Sequence, residues 1–447
     1  MPSRDRNFLM SIFTAALHFW FFIFSIGLMG LPLFIFKFSW FYFYWTLLFI
    51  LGLCVKVLAH QLFNYPYIEP SGSFSGSKTD WEQYFFYGTL MALAIGATGL
   101  IFGFILSKKE GGTEFNDPKE PKIKSVIWLG CAIGIFVLFA INHLLKIYII
   151  GVKPVYILPF YLGVPFSFLI YLGASLVLAA YVADDIANHQ RFRIQIAILI
   201  LVLIFLLSIL TGSRAPIVIQ GLPMLFGATY TQIRINKYKI SYKPYLYSVI
   251  FLFMSLLTVS LFRIHYFYGE SITNLHMILF YAKESVGLFI DRWTGAEALM
   301  AAVSYPNASI DTFWRLITEN PSKGSGSLYQ MISGSYERFE LYRKEGSNLF
   351  ATLPGYVGLL SLSGSYFLVF FGTCLITAFG ITYELLVTKL LYQQYVCISL
   401  ICASLAYYLT QVQYPEQFFV YLSNLTVFIV LIHYGLLNSK FEVLKNA

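Results

Sequence analysis

The stretch from Arg263 to Ala351 is the one long polar passage in a chain otherwise made of apolar runs. It carries charges, Trp, Tyr and many Gly and Ser. The runs on either side each reach about 18 apolar residues or more, enough to cross the hydrocarbon core of a bilayer as a helix. The insert is too aromatic and too mixed in charge for a solvated linker. A chain of this pattern folds as a polytopic membrane protein with one sizeable domain on one side. That layout suits a membrane enzyme or receptor working at the bilayer surface better than a symmetric transporter.

Of the 447 residues, 58% are hydrophobic and only 12% charged, against about half and a quarter in a soluble domain. The runs are too continuously apolar for the alternation of a membrane barrel. The expected fold is therefore an all-α polytopic integral membrane protein with about 11–12 spans. We place spans at 8–30, 33–58, 84–107, 125–147, 162–183, 194–212, 215–232, 245–262, 365–387, 391–411 and 417–437. Between the first two, Gly27, Gly30 and Pro32 suggest a bend, with Lys37 the other candidate for the turn. Three parts follow: N-terminal helices (1–262), the large loop domain (263–351), and a re-entrant or interfacial segment with C-terminal helices (352–447).

The net charge of +8 resides in short loops, where it orients the chain in the membrane, so no nucleic-acid partner is expected. Lys108, Lys109, Lys119, Lys122 and Lys124 follow the third span; Arg191 and Arg193, then Arg234, Lys237, Lys239 and Lys243, then Lys440 and Lys445 follow later ones. Counting spans puts all of them on one side, the cytoplasmic one, and the insert outside. Attraction to anionic headgroups is compatible with the same charges. Eleven spans leave the N-terminus outside, whereas Arg4 and Arg6 favour the inside. One more span, or a re-entrant piece near 61–82 or 150–162, is expected on that ground. No cleavable signal peptide is evident in the long first run.

Several chemistries are disfavoured. Cys54, Cys131, Cys374, Cys397 and Cys402 are scattered through apolar runs, without the spacing of a disulfide framework or metal site. His18, His143 and His433 read as hydrogen-bonded core residues. No metal or other cofactor is expected. There is no phosphate loop for ATP and no internal repeat of the kind many transporters carry.

The candidate site lies at the outer face. Thr211-Gly212-Ser213-Arg214 ends one span and Ala215-Pro216 opens the next. Arg214 stays charged and its fork fits a phosphate, while Gly212 and Ser213 offer backbone N–H groups. The plainer reading is an Arg snorkelling to headgroup level. Arg263, His265 and Tyr266 sit where the eighth span ends. They can hold a phosphate and a sugar, with His265 as general base, or form an interfacial belt. Asp291 to Met300 reads as a turn and a helix whose Ala298, Leu299 and Ala302 pack on the membrane helices. Arg292, Trp293 and Glu297 form a sugar and phosphate site there, or a structural Arg–Glu pair. Lys323 to Ser327 and the cluster Tyr336 to Lys344 are weaker signals. Asn348 precedes Pro354-Gly355-Tyr356-Val357-Gly358, which favours an interfacial helix followed by a span from about 365. Asp80 and Glu82 are an acidic pair in the first outer loop, read as an ordinary polar loop.

The Gly-Ser-Arg turn, the outer loop opening with Arg263 and carrying Arg292 before a helix, and the Gly-Ser-Asn to Pro-x-x-x-Gly return resemble the bacterial O-antigen polymerase (Wzy-type) group. The likeness covers roughly residues 120–437 in pattern. It implies a GT-C-like fold with a periplasmic loop domain in the inner membrane. It also implies glycosyl transfer from one undecaprenyl-diphosphate-linked oligosaccharide to another, without nucleotide sugar, ATP or metal. Partners implied are that lipid-linked oligosaccharide, membrane lipid, a chain-length regulator and a flippase. Arg214, Arg263 and Arg292 would stabilise the departing diphosphate, and His265 or Glu297 assist the acceptor hydroxyl; Gly212, Ser213, Tyr266, Trp293 and Asn348 would bind substrate. Arg214 and Arg292 lack the Gly eleven positions on that often marks the group. An O-antigen ligase, a polyprenyl-monophosphate-sugar transferase using Asp80 and Glu82, and a flippase are the competing expectations.

Overall fold

The computed structural model describes residues 16–36, 39–63, 67, 70–109, 125–149, 155–160, 162–189, 192–213, 215–236, 246, 250, 255, 258–259, 295–319, 328–334, 354–391, 394–412 and 415–434. Among these the chain is helical with no strand. Seven of the described helices are long and apolar enough to cross a membrane, and two shorter apolar ones follow. The protein is an all-α, multi-pass membrane protein.

The chain divides into two compact units: residues 1–114, 287–383 and 405–419 form one, and 115–286, 384–404 and 420–447 the other. In the first unit, α1 (Ala16–Ile35) leads into α2 (Trp40–Leu62) and α3 (Lys78–Lys109). α1 runs unbroken through Gly27, Gly30 and Pro32 to Ile35, and α2 starts at Trp40; Lys37 lies outside the described residues. Pro32 lies inside α1. Its carbonyl still accepts from Phe36 N–H at 3.1 Å, so the missing proline donor does not stop the helix. Ser39 then caps α2, its hydroxyl accepting the Tyr42 N–H at 3.2 Å.

α3 begins six residues before the expected span. Ser77 and Asp80 explain this as a capping box. The Asp80 N–H donates to Ser77 Oγ at 3.2 Å, and the Ser77 N–H to Asp80 Oδ2 at 3.3 Å. Asp80 also accepts the Ser75 N–H and hydroxyl, at 2.9 and 2.7 Å. Glu82 makes an exposed pair with Lys78 at 3.7 Å, which contributes little. The described residues near 61–82 add no further span, and 155–160 are bends and turns.

Close backbone approach orders the first unit. A Cβ on Gly88 would meet the Phe22 ring at 2.7 Å, one on Gly96 the Met29 Cα at 3.2 Å, and one on Gly103 the Phe36 ring at 2.2 Å. The matches rise together in number, so α1 and α3 run parallel. Apolar side chains of a membrane helix gain little by leaving lipid for each other, so small residues that admit a neighbour's backbone do the packing. α12 (Tyr366–Leu390) also runs parallel to α3: Tyr366 meets Phe86 and Tyr87 by their rings, and the Cys374 thiol reaches Ala94 O at 3.6 Å. α2 runs antiparallel to α12, with Trp45 Nε1–H donating to Thr377 Oγ1 at 3.1 Å and the Phe41 ring filling the notch at Gly380. The starts of α1, α3 and α12 therefore share a face with the end of α2.

The described helices of the polar insert lie on that face. They are α8 (Ala296–Val303), α9 (Ile310–Thr318) and α10 (Leu328–Ser333), followed by α11 (Gly355–Ser361). Ala298, Ala302, Leu316, Tyr329, Ile332, Leu359, Leu362 and Val412 form their shared core. α11 is buried along its whole length, so it is an interior helix rather than one spread on a surface.

The second unit contains α4 (Ser125–Leu145), α5 (Gly163–His189), α6 (Ile194–Thr211), α7 (217–236) and parts of α13 (Tyr395–Thr410) and α14 (Pro415–Ile432). Here several polar groups are satisfied inside the bundle, as an apolar solvent favours. Gln220 accepts from Ser175 Oγ and donates to Tyr171 O, both at 2.6 Å. This contact joins the wide π-helical turns Leu169–Gly173 and Ile217–Gly221. α5 outruns its expected end because Asp184 and Asp185 are paired. Trp128 Nε1–H donates to Asp184 Oδ2 at 3.0 Å, and the Arg193 guanidinium grips Asp185 with two nitrogens. Arg234 lies over the Tyr395 ring at 5.1 Å. His433 Nδ1 lies 2.7 Å from Leu390 O. His143, expected in the core, is exposed, and its neighbour Asn142 closes the turn instead, bonding Tyr148 N–H and O at 2.9 and 3.1 Å. Cys397 and Cys402 are buried and the other three thiols half-buried, and none forms a disulfide.

Glycine packing is testable. Gly96→Ile forces a side chain against the α1 backbone and should cost about 1–3 kcal/mol. Gly130→Ile, where an added Cβ meets nothing within 4 Å, should leave thermal unfolding in detergent unchanged. Equal melting temperatures for the two variants would refute the tight α1–α3 seam.

Candidate functional site

A buried ion pair is the centre of the polar face. Lys56 Nζ lies 2.6 Å from Glu297 Oε1, with the side chains 0% and 2% exposed. Lys56 starts the last two turns of α2, just after the π-helical turn Ile50–Val55. Such widened turns shift the side chains that follow them and recur at functional sites. Glu297 sits in the first turn of α8, where the helix dipole also favours an anion. Gly295 precedes it at φ +138°, and a Cβ there would stand 3.2 Å from Leu53 in the widened turn. Only glycine combines that dihedral with that approach.

Aromatic and polar groups surround the pair. The Tyr84 hydroxyl donates to Leu53 O at 2.8 Å. The His60 ring, one turn beyond Lys56, stacks on Tyr67 with centroids 4.0 Å apart. Trp81 packs on Phe85 and meets Tyr84 edge-on. From the far side, Tyr356 of α11 packs its ring 4.5 Å from Trp45. The loop between α2 and α3 is stitched to the insert. The Gly72 N–H donates to Ser333 O at 3.0 Å, and Ser73 Oγ–H to Ser304 O at 2.7 Å. Small residues let α8 and α11 touch, since a Cβ on Gly358 would lie 3.2 Å from the Ala298 methyl.

A lone buried charge here would cost several kcal/mol, whereas the pair cancels most of that. Glu297, a candidate to assist the acceptor hydroxyl, pairs with Lys56, while Arg292 lies outside the described residues.

Gly212 and Ser213 also have a role other than the expected one. Gly212 is left-handed at φ 60° and closes α6. Its N–H donates to Ile209 O at 3.1 Å, and the Ser213 N–H to Ser208 O at 3.0 Å. This is a Schellman stop, which takes both donors for the helix's own carbonyls, so neither N–H is offered to a phosphate. The Ser213 hydroxyl accepts the Ala215 N–H at 3.2 Å and so opens the next helix. Arg214, Arg263, His265, Tyr266, Arg292, Trp293 and Asn348 lie outside the described residues, as do 323–327 and 336–344. Sequence reasoning passed over Lys56 and His60, although a Lys in the apolar run Leu51 to Leu62 is a functional signal in itself.

At the insert's outer edge, the Glu319 carboxylate accepts the Leu328 N–H with both oxygens, at 2.7 and 3.0 Å. Burial holds this carboxyl above its ordinary range, opposed by the Leu328 N–H and by Arg315. Compared with protein-family models, curated proteins and solved structures, the chain matches none.

Two outcomes follow. Lys56→Met or Glu297→Leu alone should destabilise by about 3–5 kcal/mol, while the two together should recover most of it. A double-mutant cycle of thermal unfolding measures this, and additive losses would exclude the pair. A folded carboxyl that titrates above its unfolded value gives stability that is full at low pH and lost as pH rises through the folded value. Glu319→Gln should therefore match the wild type below about pH 4 and melt higher at neutral pH.

Proposed function

We propose that this protein is a glycosyltransferase of the bacterial inner membrane. It polymerises undecaprenyl-diphosphate-linked oligosaccharide repeat units at the periplasmic face. The observation that carries the reading is the gathering of the insert helices and the 70–77 loop on one face of helices able to cross a bilayer. An enzyme whose substrates are lipid-anchored needs a polar domain fastened at that level.

In this reading the bond between the growing chain's anomeric carbon and its diphosphate oxygen breaks. A bond forms from that carbon to a hydroxyl of a new lipid-linked unit, and the hydroxyl proton passes to a base. The glycosyl diphosphate is already activated, so neither ATP nor a metal is called on. Arg214, Arg263 and Arg292 neutralise the leaving diphosphate by preorganised charge, and His265 is the base. Tyr266, Trp293 and Asn348 orient sugar rings. Gly212 and Ser213 shape the turn before Arg214 and leave the anion to it. Glu297 is an anchor: its pairing with Lys56 fixes the start of the helix that follows Arg292 and Trp293.

The deciding measurement is surface polysaccharide on a gel from cells lacking the protein. Single repeat units in place of a ladder are expected, restored by the wild type but not by Arg214→Ala or Arg292→Ala at equal expression. Asp80→Ala with Glu82→Ala should cost about 1 kcal/mol of stability through the lost cap and leave the ladder intact. Polymer stored on its carrier with no capped lipid would instead mark a ligase, and no exported repeat unit a flippase. Loss of the ladder in the Asp80/Glu82 variant alone would favour a monophosphate-sugar transferase.

A further inference from the structure

The insert helix α9 has an apolar surface wider than the protein covers. At about 100° per residue, Leu316, Phe313, Ile317, Ile310 and Trp314 follow one another around its circumference. Of these Leu316 is 2% exposed and sits in the core, whereas Ile310 is 51% and Trp314 57% exposed. Asp311, Arg315 and Thr318, also exposed, complete the adjoining sector. The helix thus has three faces: one in the protein, one apolar and open, one charged.

Its level is set by the chain around it. The Ser309 N–H donates to Leu362 O at 3.0 Å. A Cβ on Gly364 would come 2.6 Å from Ala308 O. Two residues beyond Gly364 the span α12 starts, with Tyr366 54% and Phe367 72% exposed and Phe86 of α3 against Tyr366 at a ring distance of 5.0 Å. Exposed aromatic rings at the start of a span mark the headgroup level. The start of α9 is thus tied to the chain just before that aromatic belt, through Ser309–Leu362 and Ala308–Gly364. A Trp beside an Arg on a short amphipathic helix is the composition of a helix lying in the bilayer interface.

We propose that α9 is seated in the lipid headgroup region, Ile310 and Trp314 entering the acyl boundary and Arg315 meeting lipid phosphate. The insert is then held by the bilayer as well as by the Lys56 anchor. The assignment does not depend on the reaction catalysed.

The test places p-benzoylphenylalanine at Ile310, Trp314 or Asp311 of the whole chain in nanodiscs of mixed phosphatidylglycerol and phosphatidylcholine. All three positions are exposed, so the probe displaces no packed side chain. After irradiation, phospholipid adducts read by mass spectrometry should be several-fold more abundant at Ile310 and Trp314 than at Asp311. Arg315→Gln should lower the phosphatidylglycerol share of the adducts about fivefold, the preference expected of one basic residue at the surface. Adduct levels at Ile310 and Trp314 no higher than at Asp311 would overturn the proposal, and so would crosslinks mainly to a second copy of this chain.

Discussion

Lys56 and Glu297 are buried as a pair. A charge moved into an apolar interior loses several kcal/mol of hydration, and an opposite charge held against it offsets much of that. The pair therefore ties two distant parts of the chain: the end of the second span and the polar insert some 240 residues later. The contacts nearby follow from that tie. Gly295 must be glycine to let α8 approach Leu53, and the widened turn before Lys56 places the ammonium where α8 begins.

Around this anchor the first unit is built by shape as much as by apolarity. Lipid chains compete equally for apolar side chains, so what discriminates between helix neighbours is how closely backbones can come. Gly88, Gly96 and Gly103 admit α1, and Gly380 admits the ring of Phe41. The second unit shows the complementary device, in which interior polar side chains bond to specific partners across the bundle. Gln220 serves Ser175 and Tyr171, and Asp184 and Asp185 are met by Trp128 and Arg193. At Asp184 and Asp185 such pairing keeps within a helix residues that hydropathy alone assigns to a loop.

Those devices explain how far the sequence could be read. The long apolar runs announced the helices, because a backbone in hydrocarbon must bond to itself within the segment. Helix ends were less legible where a polar residue belonged to the helix. Asp80 looked like loop and is a cap partner; Asp184 and Asp185 looked like a cytoplasmic turn and lie within α5. The helix after Gly295 and its packing face of Ala298, Leu299 and Ala302 were visible in their spacing. The partner of Glu297 was not, since nearby Arg292 drew the eye while Lys56 lay far away in the chain.

By itself the sequence determined that this chain is an all-helical membrane protein with its polar mass concentrated between residues 263 and 351. Length and apolarity of the runs are local properties, and the bilayer leaves them one solution. Which helices lie parallel, which carboxylate meets which ammonium, and that Gly212 and Ser213 spend their N–H groups on closing a helix were decided by tertiary structure. Those outcomes depend on backbone approach and on the pairing of charges far apart in sequence, and no local pattern carries either.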